Sequence, residues 1–347
     1  MIVVTGASGM LGSQIVLTAA LAQKPVCGLY RSPSALTSVK ASWSAQGHAE
    51  VFDRVTWRQV DLLDALDTAD ALEGATQVVH AAAIVSFRKK DESFMFQANP
   101  QMSENLWLAA LDRGVQFGLH ISSIATLSVD LREPTVTEAN ESKRASLSAY
   151  GKSKLDAELV AWRYHEEGLP LAVFHPSVIL GPSAWPDGSS LFPKTIAKGL
   201  PVVSPGATGW VDVRDVAEAV LKALDQPPVG ERFILNGANA SFKSVFSLLA
   251  NGLGVPVPKR TAPRALLEIA WRVERVRERV LGSRPLLTQD SVRAAYNSVK
   301  YSGEKAFQQG YLTRPLEETT AWVAQMHRYL PKKALAQRSG WQQEPLM

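Results

Sequence analysis

The fold is decided by one stretch near the start of the sequence, Ile2-Val3-Val4-Thr5-Gly6-Ala7-Ser8-Gly9-Met10-Leu11-Gly12. Its first four residues are all β-branched and predict a short buried strand, while the residues after the glycines suit a helix. A glycine-rich turn at such a junction lets the backbone approach a phosphate, and the unpaired amides at the helix start face the anion. We therefore predict that residues 6–12 bind the pyrophosphate of a dinucleotide.

Strand-like and helix-like segments continue to alternate through the first 175 residues. The predicted strands lie at residues 2–5, 25–30, 55–60, 77–80, 116–122 and 169–175, and the predicted helices at residues 10–22, 34–46, 65–72, 93–113 and 148–167. Alternation of this kind is typical of an α/β fold in which helices cover both faces of a doubly wound parallel sheet, the Rossmann arrangement.

The pattern changes after Pro176, where prolines and glycines punctuate the chain. Helix-compatible segments return at residues 213–224, 242–251, 264–281, 288–295 and 315–329, with a strand at residues 232–235. We predict a nucleotide-binding domain at residues 1–175 and a smaller α/β substrate-binding lobe at residues 176–330 that interleaves with it. Residues 331–347 are polar and without pattern, and we expect a flexible tail there.

Composition narrows the class of protein. With 347 residues and 46% hydrophobic content the chain can bury a large core, and its 37 basic residues are interspersed with 33 acidic ones. This mixed charge gives no indication of nucleic-acid binding. Cys27 is the only cysteine, so an intramolecular disulfide and a cysteine-cluster metal site are excluded, and the histidines lack metal-ligand spacing. No run of about 18 apolar residues is present, and we expect a cytoplasmic protein without a membrane span.

The end of the second predicted strand distinguishes the two nicotinamide dinucleotides. An acidic residue at this position would hydrogen-bond the ribose hydroxyls and repel a 2′-phosphate. The chain instead has Arg31 and Ser32, which offer a permanently charged planar fork and a hydroxyl to a phosphate. We predict NADP(H) as the cofactor in preference to NAD(H).

Two residues four positions apart, Tyr150 and Lys154, lie on the same face of the predicted helix at residues 148–167. A neighbouring ammonium favours the phenolate of a tyrosine that would otherwise ionise at about pH 10. Tyr150 can then exchange a proton with an alcohol or carbonyl oxygen while a hydride passes to or from a nicotinamide.

Further motifs accompany the glycine turn and the Tyr150–Lys154 pair: Asp61-Leu62, His80-Ala81-Ala82-Ala83, Asn99, His120-Ile121-Ser122-Ser123, His175-Pro176-Ser177-Val178 and Val211-Asp212-Val213-Arg214-Asp215. With them the chain, over residues 1–235, resembles the extended short-chain dehydrogenase/reductase family of the NAD-dependent epimerase/dehydratase superfamily.

The resemblance implies roles for individual residues. Ser123, or alternatively Ser122, would hydrogen-bond the reacting oxygen, and Lys154 would also hold the nicotinamide ribose. Asn99 joins Ser123, Tyr150 and Lys154 in the implied catalytic set. The implied cofactor contacts come from Asp61, Leu62, Ala81, Ala82, Ala83, Pro176, Ser177 and Val178. Asp215 is interpreted first as a helix N-terminal cap.

The residues after Ser123 distinguish the branches of this family. Ile124-Ala125 stands where family dehydratases have Asp-Glu, and Thr126-Leu127-Ser128 where sugar-nucleotide epimerases commonly have Val-Tyr-Gly. The pattern is similar to that of dihydroflavonol reductases and 3β-hydroxysteroid dehydrogenases. This similarity implies hydride transfer on a secondary alcohol or ketone of a hydrophobic small molecule.

Apolar side chains are candidates for the substrate pocket, although core packing would also explain each of them: Phe87, Trp185, Leu191, Phe192 and Trp210. Two alternative functions stay open, a nucleotide-sugar epimerase or dehydratase and a non-catalytic dinucleotide-binding sensor or structural subunit.

Two further predictions concern partners. The arginine-rich residues 264–284 are interpreted as a solvated amphipathic helix covering the pocket, with peripheral membrane association as the alternative. The resemblance implies a homodimer through the helices at residues 93–113 and 148–167, in which Trp107 and Leu111 would face the partner or the sheet.

Overall fold

The structure is a computed structural model that describes residues 1–86, 89–130, 135–184, 188–263 and 296–330, with isolated positions between 265 and 277. Some predictions lie outside the described residues: Phe87, Trp185, the helix at residues 288–295 and the tail at residues 331–347. The segment 264–284 is described only at positions 265, 268–269, 271–274 and 277, and these positions are helical.

A seven-stranded sheet forms the centre of the molecule. The strands of the described residues are β1 (Ile2–Thr5), β2 (Val26–Tyr30), β3 (Thr56–Gln59), β4 (Gln77–His80), β5 (Phe117–Ile121), β6 (Thr135–Val136), β7 (Leu171–Pro176), β8 (Val178–Leu180), β9 (Val202–Val203), β10 (Ala207–Asp212), β11 (Arg232–Leu235), β12 (Ala238–Ser241), β13 (Arg260–Thr261) and β14 (Lys300–Tyr301). The central sheet has the order β11-β7-β5-β4-β1-β2-β3, and every pairing in it is parallel. The predicted doubly wound fold is confirmed.

The strand predictions agree closely with the structure. Those at residues 2–5, 77–80 and 232–235 coincide with β1, β4 and β11, and the other four begin and end within two residues of the observed bounds. β11 pairs with β7 at the edge of the central sheet, and its Phe233 and Ile234 are fully buried. The sheet therefore takes its last strand from beyond residue 175.

Helices cover both faces of this sheet. The helices of the described residues are α1 (Met10–Leu21), α2 (Pro33–Ala45), α3 (Ala65–Ala71), α4 (Glu92–Asp112), α5 (Ala149–Glu166), α6 (Leu191–Ala197), α7 (Val213–Asp225), α8 (Phe242–Leu253), α9 (Glu304–Gln308) and α10 (Leu316–Tyr329). Of these, α1, α2 and α7 pack on one face of the central sheet, and α3, α4 and α5 pack on the other. α1 packs on α7, and α4 packs on α5. A Cβ on Gly118 would lie 2.7 Å from the indole of Trp107, so this glycine lets α4 approach β5 and Trp107 faces the sheet.

The strand order reverses beside β1, whose neighbours are β2 on one side and β4 on the other. In open α/β sheets the crevice at the carboxyl ends of the strands at such a reversal is the usual ligand site. Gly6 follows β1 and Ala81 follows β4, so the fold brings two of the predicted cofactor segments to the same crevice.

The smaller lobe is built on a second sheet, with the order β12-β10-β8, and on α6, α8 and α10. Four aromatic rings pack in its core, with centroid separations from 5.1 to 6.0 Å: Phe192, Trp210, Phe242 and Phe246. Trp210 is only 1% exposed, and its Nε1 donates to the carbonyl oxygen of Ala240 at 3.0 Å. The Trp210 ring therefore packs within this aromatic cluster.

Two aspartates fix the start of α7. The cap is Asp212, whose carboxylate accepts a hydrogen bond from the backbone N of Arg214 at 2.8 Å. The interpretation of Asp215 as the cap is wrong, because Asp215 lies in the first turn and accepts from the backbone N of Arg314 at 2.7 Å, while pairing with its guanidinium. Asp215 thus ties α7 to the segment that precedes α10. Within the described ranges no helix has the length and apolar composition to cross a membrane.

Candidate active site

The glycine loop is shaped by contacts that exclude side chains. Gly6 has φ of 65°, and a Cβ there would lie 2.7 Å from the backbone of Ala82. A Cβ on Gly12 would lie 2.2 Å from the carbonyl oxygen of Gly6. The end of β4, the loop and the first turn of α1 are therefore in direct backbone contact, and only glycine fits at these two positions.

The start of α1 has the character of an anion site. Gly9 is its N-cap, no side chain of the described residues caps it, and its first turn contains no acidic residue. The first amides of a helix lack intrahelical partners and carry a partial positive charge. The crowded backbone at Gly6 and Gly12 and the uncapped helix start together fit a dinucleotide pyrophosphate.

The end of β4 is held by the end of β1. Thr5 Oγ1 accepts a hydrogen bond from the backbone N of Ala82 at 3.1 Å and lies 2.8 Å from Nδ1 of His80. Ala81, Ala82 and Ala83 are all partly exposed along this side of the crevice. The structure thus brings Ala81 and Ala82 against Gly6 of the glycine loop, and the cofactor contacts of all three alanines stay predictions.

The predicted adenine end of the site lies at the ends of β2 and β3. Arg31 is exposed, its carbonyl oxygen accepts from Gln59 Nε2 at 3.1 Å, and Ser32 is the N-cap residue of α2. The Asp61 carboxylate lies near enough to the Arg31 guanidinium for the two charges to interact. Leu62 is buried, and its carbonyl oxygen accepts from Asn105 Nδ2 at 2.9 Å.

Tyr150 and Ser123 meet at the carboxyl end of β5. Ser148 caps α5 by accepting from the backbone N of Gly151 at 3.1 Å, so Tyr150 stands in the first turn. A Cβ on Gly151 would lie 2.3 Å from the carbonyl oxygen of Ala125, which shows how closely α5 approaches the short turn at Ile124–Thr126. Burial raises the pKa of Tyr150 to about 12, while a hydrogen bond with the Ser123 side chain lowers it. The phenol is therefore protonated at neutral pH. The predicted effect of Lys154, together with a positive nicotinamide ring, on the phenolate stays a prediction.

Lys154 stands one turn along α5 and is 3% exposed. Its Nζ donates to the carbonyl oxygen of Ile121 at 2.6 Å. Burial lowers the pKa of Lys154 to about 8, and the charge of Glu158 opposes this effect. The structure thus brings Ser123, Tyr150 and Lys154 together at the carboxyl end of β5, and their catalytic roles stay predictions.

Asn99 lies deeper and does not reach the phenol through any contact that the structure describes. Its Oδ1 accepts from the backbone N of Ile84 at 2.7 Å, and its Nδ2 donates to the Ile84 carbonyl and to Ser153 Oγ, both at 3.1 Å. Ser153 Oγ in turn donates to the carbonyl oxygen of Tyr150 at 2.9 Å. Asn99 therefore ties the segment after β4 to the first turn of α5.

The sequence did not predict the carboxylate beneath this trio. Glu158 is 2% exposed, and its Oε2 accepts from Ser122 Oγ at 2.5 Å. Nε2 of His175 lies 3.1 Å from both of its oxygens. Burial raises the pKa of Glu158, but the interactions with His175, Ser122 and Trp162 together outweigh burial and lower the pKa to about 2. Ser122 therefore faces Glu158 whereas Ser123 faces Tyr150. The sequence signal for Glu158 was its position four residues after Lys154, which places both side chains on one face of the helix.

The predicted substrate side is only partly described. Pro176 and Ser177 are buried and Val178 is partly buried, with the backbone N of Ser177 donating to the Leu235 carbonyl at 2.9 Å. Leu191 and Phe192 are partly exposed in α6, whereas Trp210 lies in the core of the smaller lobe. Their place in a substrate pocket stays a prediction. Within the described part of the chain, no cluster of three or more His, Cys, Asp or Glu side chains could hold a metal ion.

The amino-acid sequence of this chain is similar to those of known proteins. Residues 2–235 match the NAD dependent epimerase/dehydratase family. The chain is 28% identical over 290 residues to a putative dihydroflavonol 4-reductase of Synechocystis sp., which covers 80% of this chain and 83% of that protein. It is 26% identical over 330 residues to 4-hydroxy-2-methyl-3-oxo-4-farnesyl-3,4-dihydroquinoline-1-oxide ketoreductase of Stigmatella aurantiaca, with 88% and 93% covered.

Solved structures share the fold. UDP-glucuronic acid 4-epimerase from Bacillus cereus, in complex with NAD, has a TM-score of 0.73 at 19% identity, with 95% of this chain and 99% of that chain covered. The similarity to the extended short-chain dehydrogenase/reductase family and to dihydroflavonol reductases, predicted from the motifs, is confirmed.

Proposed function

The chain belongs to the NAD dependent epimerase/dehydratase family, and from that premise we propose that it is an NADP(H)-dependent reductase of hydrophobic carbonyl compounds. Its reaction would be hydride transfer between the nicotinamide and a secondary alcohol or ketone. The observation that carries this proposal is the hydrogen bond between Tyr150 and Ser123 beside the Lys154 ammonium. This trio stands at the carboxyl end of β5, next to the crevice where the glycine loop meets β4.

Tyr150, Ser123 and Lys154 have separate roles in the proposed reduction. The dinucleotide, when bound, supplies the hydride. Tyr150 holds a proton at neutral pH, because burial raises its pKa to about 12, and delivers this proton to the carbonyl oxygen. Ser123 donates a hydrogen bond to the same oxygen, and the positive charge of Lys154 stabilises the phenolate that remains.

The preference for NADP(H) is supported by Arg31 and Ser32 at the end of β2. A charged hydrogen bond to a 2′-phosphate contributes about 1.5–3 kcal/mol. Arg31→Ala should therefore raise the KM for NADPH by roughly tenfold or more, and leave the KM for NADH nearly unchanged. Arg54→Ala, which removes an exposed arginine before β3, is the matched control. A wild-type protein that prefers NADH would contradict the assignment.

The substrate class is supported by Ile124 and Ala125, which offer no acid/base pair for dehydration. Two relatives are named as reductases of bulky organic molecules, a dihydroflavonol and a farnesylated quinoline oxide. The test is NADPH oxidation across a panel of aliphatic, aromatic and polycyclic ketones, with UDP- and dTDP-sugars run in parallel.

Turnover of bulky ketones would support the proposal. Conversion of a nucleotide sugar without turnover of ketones would identify an epimerase or dehydratase instead. Tight NADPH binding without turnover of any substrate would favour a dinucleotide-binding sensor.

A further inference from the structure

A single stripe of side chains runs along α5 beneath the proposed site. Tyr150, Lys154, Glu158 and Trp162 follow one another at intervals of four, which places them on one helix face. Glu158 is as buried as Lys154, at 2% and 3% exposure, although the proposed reaction uses only the lysine and the tyrosine. A buried carboxylate is costly unless it is paired and hydrogen-bonded.

The contacts of Glu158 converge on the segment that carries Ser123. The carboxylate accepts hydrogen bonds from Ser122 Oγ at 2.5 Å, Thr126 Oγ1 at 3.2 Å and Trp162 Nε1 at 3.4 Å, and Nε2 of His175 lies 3.1 Å from each of its oxygens. Ser122 directly precedes Ser123, and Thr126 is the last residue of the short turn that Ser123 caps. One carboxylate thus holds both ends of the segment in which Ser123 meets Tyr150.

His175 completes the unit. It is fully buried on β7, and its Nε2 must carry the proton in order to bond with a carboxylate. This interaction holds the Glu158 carboxylate from the side of the sheet, while Ser122 and Thr126 hold it from the segment after β5. The pair therefore ties α5, β5 and β7 together at one point.

The negative charge of the same carboxylate also acts on Lys154, which stands one helical turn before it. Two other titratable groups near this lysine, His80 on β4 and His120 on β5, are neutral. Burial and the Lys154 charge lower the pKa of His80 to about 3, and they lower the pKa of His120 well below its usual range. Among the charges of the described residues, Glu158 is the one that raises the pKa of Lys154.

We propose that Glu158, held by His175, is a positioning residue that fixes Ser123 against Tyr150 and supplies the negative charge facing the Lys154 ammonium. This proposal rests on the proposed reductase function for its catalytic consequence, but the electrostatic part can be measured without any substrate. Glu158 acts through its neighbours and does not touch the reacting atoms.

The decisive experiment compares wild type with Glu158→Gln in the full-length protein. The pKa of Lys154 is measured by NMR after lysine-selective isotope labelling, with the Lys154 signal assigned by its loss in Lys154→Met. We expect the pKa to fall by about one pH unit or more, because an opposite charge has been removed. In the presence of NADPH and ketone, kcat at about pH 8 should fall by roughly fivefold or more, with the KM for NADPH changed less than about twofold.

Two further variants separate the electrostatic role from a structural one. Asp156→Asn changes another carboxylate of α5, which pairs with Arg144 at the surface, and should leave both the Lys154 titration and kcat unchanged. Ser122→Ala removes the shortest hydrogen bond to Glu158 but keeps the charge. It should lower kcat by roughly tenfold at all pH values without moving the pKa of Lys154, and it keeps the proposal testable if Glu158→Gln does not fold.

The outcomes are distinguishable. An unchanged Lys154 titration in Glu158→Gln overturns the electrostatic part, and wild-type kcat in Ser122→Ala overturns the positioning of Ser123. A lowered Lys154 pKa in a protein that reduces no ketone supports the electrostatic part and contradicts the proposed reductase function.

Discussion

The two halves of the crevice are built by opposite means. At the glycine loop the chain omits side chains, and a Cβ on Gly12 would lie 2.2 Å from the Gly6 carbonyl oxygen. At the start of α5 the chain buries polar and charged side chains, with Lys154 and Glu158 both nearly inaccessible. We therefore expect the glycine loop to be sensitive to added side-chain volume. We expect the α5 stripe, which consists of Tyr150, Lys154, Glu158 and Trp162, to be sensitive to changes in charge and pKa.

The strongest test of this contrast is Tyr150→Phe. The substitution keeps the ring and removes only the hydroxyl that meets Ser123, so the shape of the crevice is preserved. Loss of a general acid should lower kcat by roughly 10²–10⁴-fold, while the Kd for NADPH changes little. Stopped-flow or steady-state NADPH oxidation measures the first quantity, and fluorescence titration measures the second.

Tyr164→Phe is the matched control on the same helix. The hydroxyl of Tyr164 donates to Glu104 Oε1 at 2.8 Å, on the side of α5 that meets α4, so its loss should leave kcat within about twofold. If Tyr150→Phe retained turnover, another group would have to protonate the carbonyl oxygen, and the assignment of Tyr150 would be wrong.

Local sequence patterns predicted the positions of the glycine loop and of Ser123, Tyr150 and Lys154, because each of these features is defined by a short stretch of sequence. The β-branched run at Ile2–Thr5 and the glycines after it define a strand and a turn by themselves. Ser148 likewise defines the start of α5 through a local cap, and the helix then places Tyr150 and Lys154 one turn apart. These features depend on backbone preferences within a few residues.

Features that depend on distant partners were not accessible in this way. Glu158 could be placed on the face of Lys154 from its spacing, but its contact with Ser122 joins residues 36 positions apart. Hydrophobicity likewise did not predict which side chains Trp210 packs against, and the structure places it against the aromatic rings of Phe192 and Phe242. The sequence pattern placed the cap of α7 at Asp215, whereas the backbone geometry places it at Asp212.

The second prediction concerns shape and uses two glycines of the same loop. Gly12→Ala should destabilise the fold by about 3 kcal/mol, because its Cβ meets backbone that cannot move aside. Without this contact the substitution would stabilise α1 by up to about 1 kcal/mol through helix propensity. The sign of the change in the free energy of unfolding, from denaturant titration, therefore reports the contact directly.

Gly9→Ala is the comparison variant. Its Cβ would lie 3.3 Å from the Gly6 carbonyl oxygen, a contact that small shifts relieve, so stability should change by less than about 1 kcal/mol. NADPH affinity should nevertheless fall, since the methyl group is added where the amides of α1 begin. Equal loss of stability in both variants would contradict the view that backbone crowding is concentrated at Gly12.

The third prediction concerns charge and uses the lowered pKa of Lys154, about 8 against the ordinary value of 10.5. Above about pH 8 the lysine loses the charge that stabilises the tyrosinate, so kcat for ketone reduction should fall by about tenfold per pH unit. Stability should move in the opposite direction. Between pH 8 and 10.5 the unfolded chain binds more protons at Lys154 than the folded chain does. The free energy of unfolding should therefore increase as the pH rises through this range.

The measurement compares wild type with Lys154→Met by denaturant titration across this range, because the difference between the two isolates one titrating group from all the others. Wild type should gain stability relative to the variant as the pH rises, while its kcat declines. A difference that stays constant with pH would mean that burial does not lower the pKa of Lys154. The α5 stripe would then resemble the glycine loop, with shape rather than charge deciding its function.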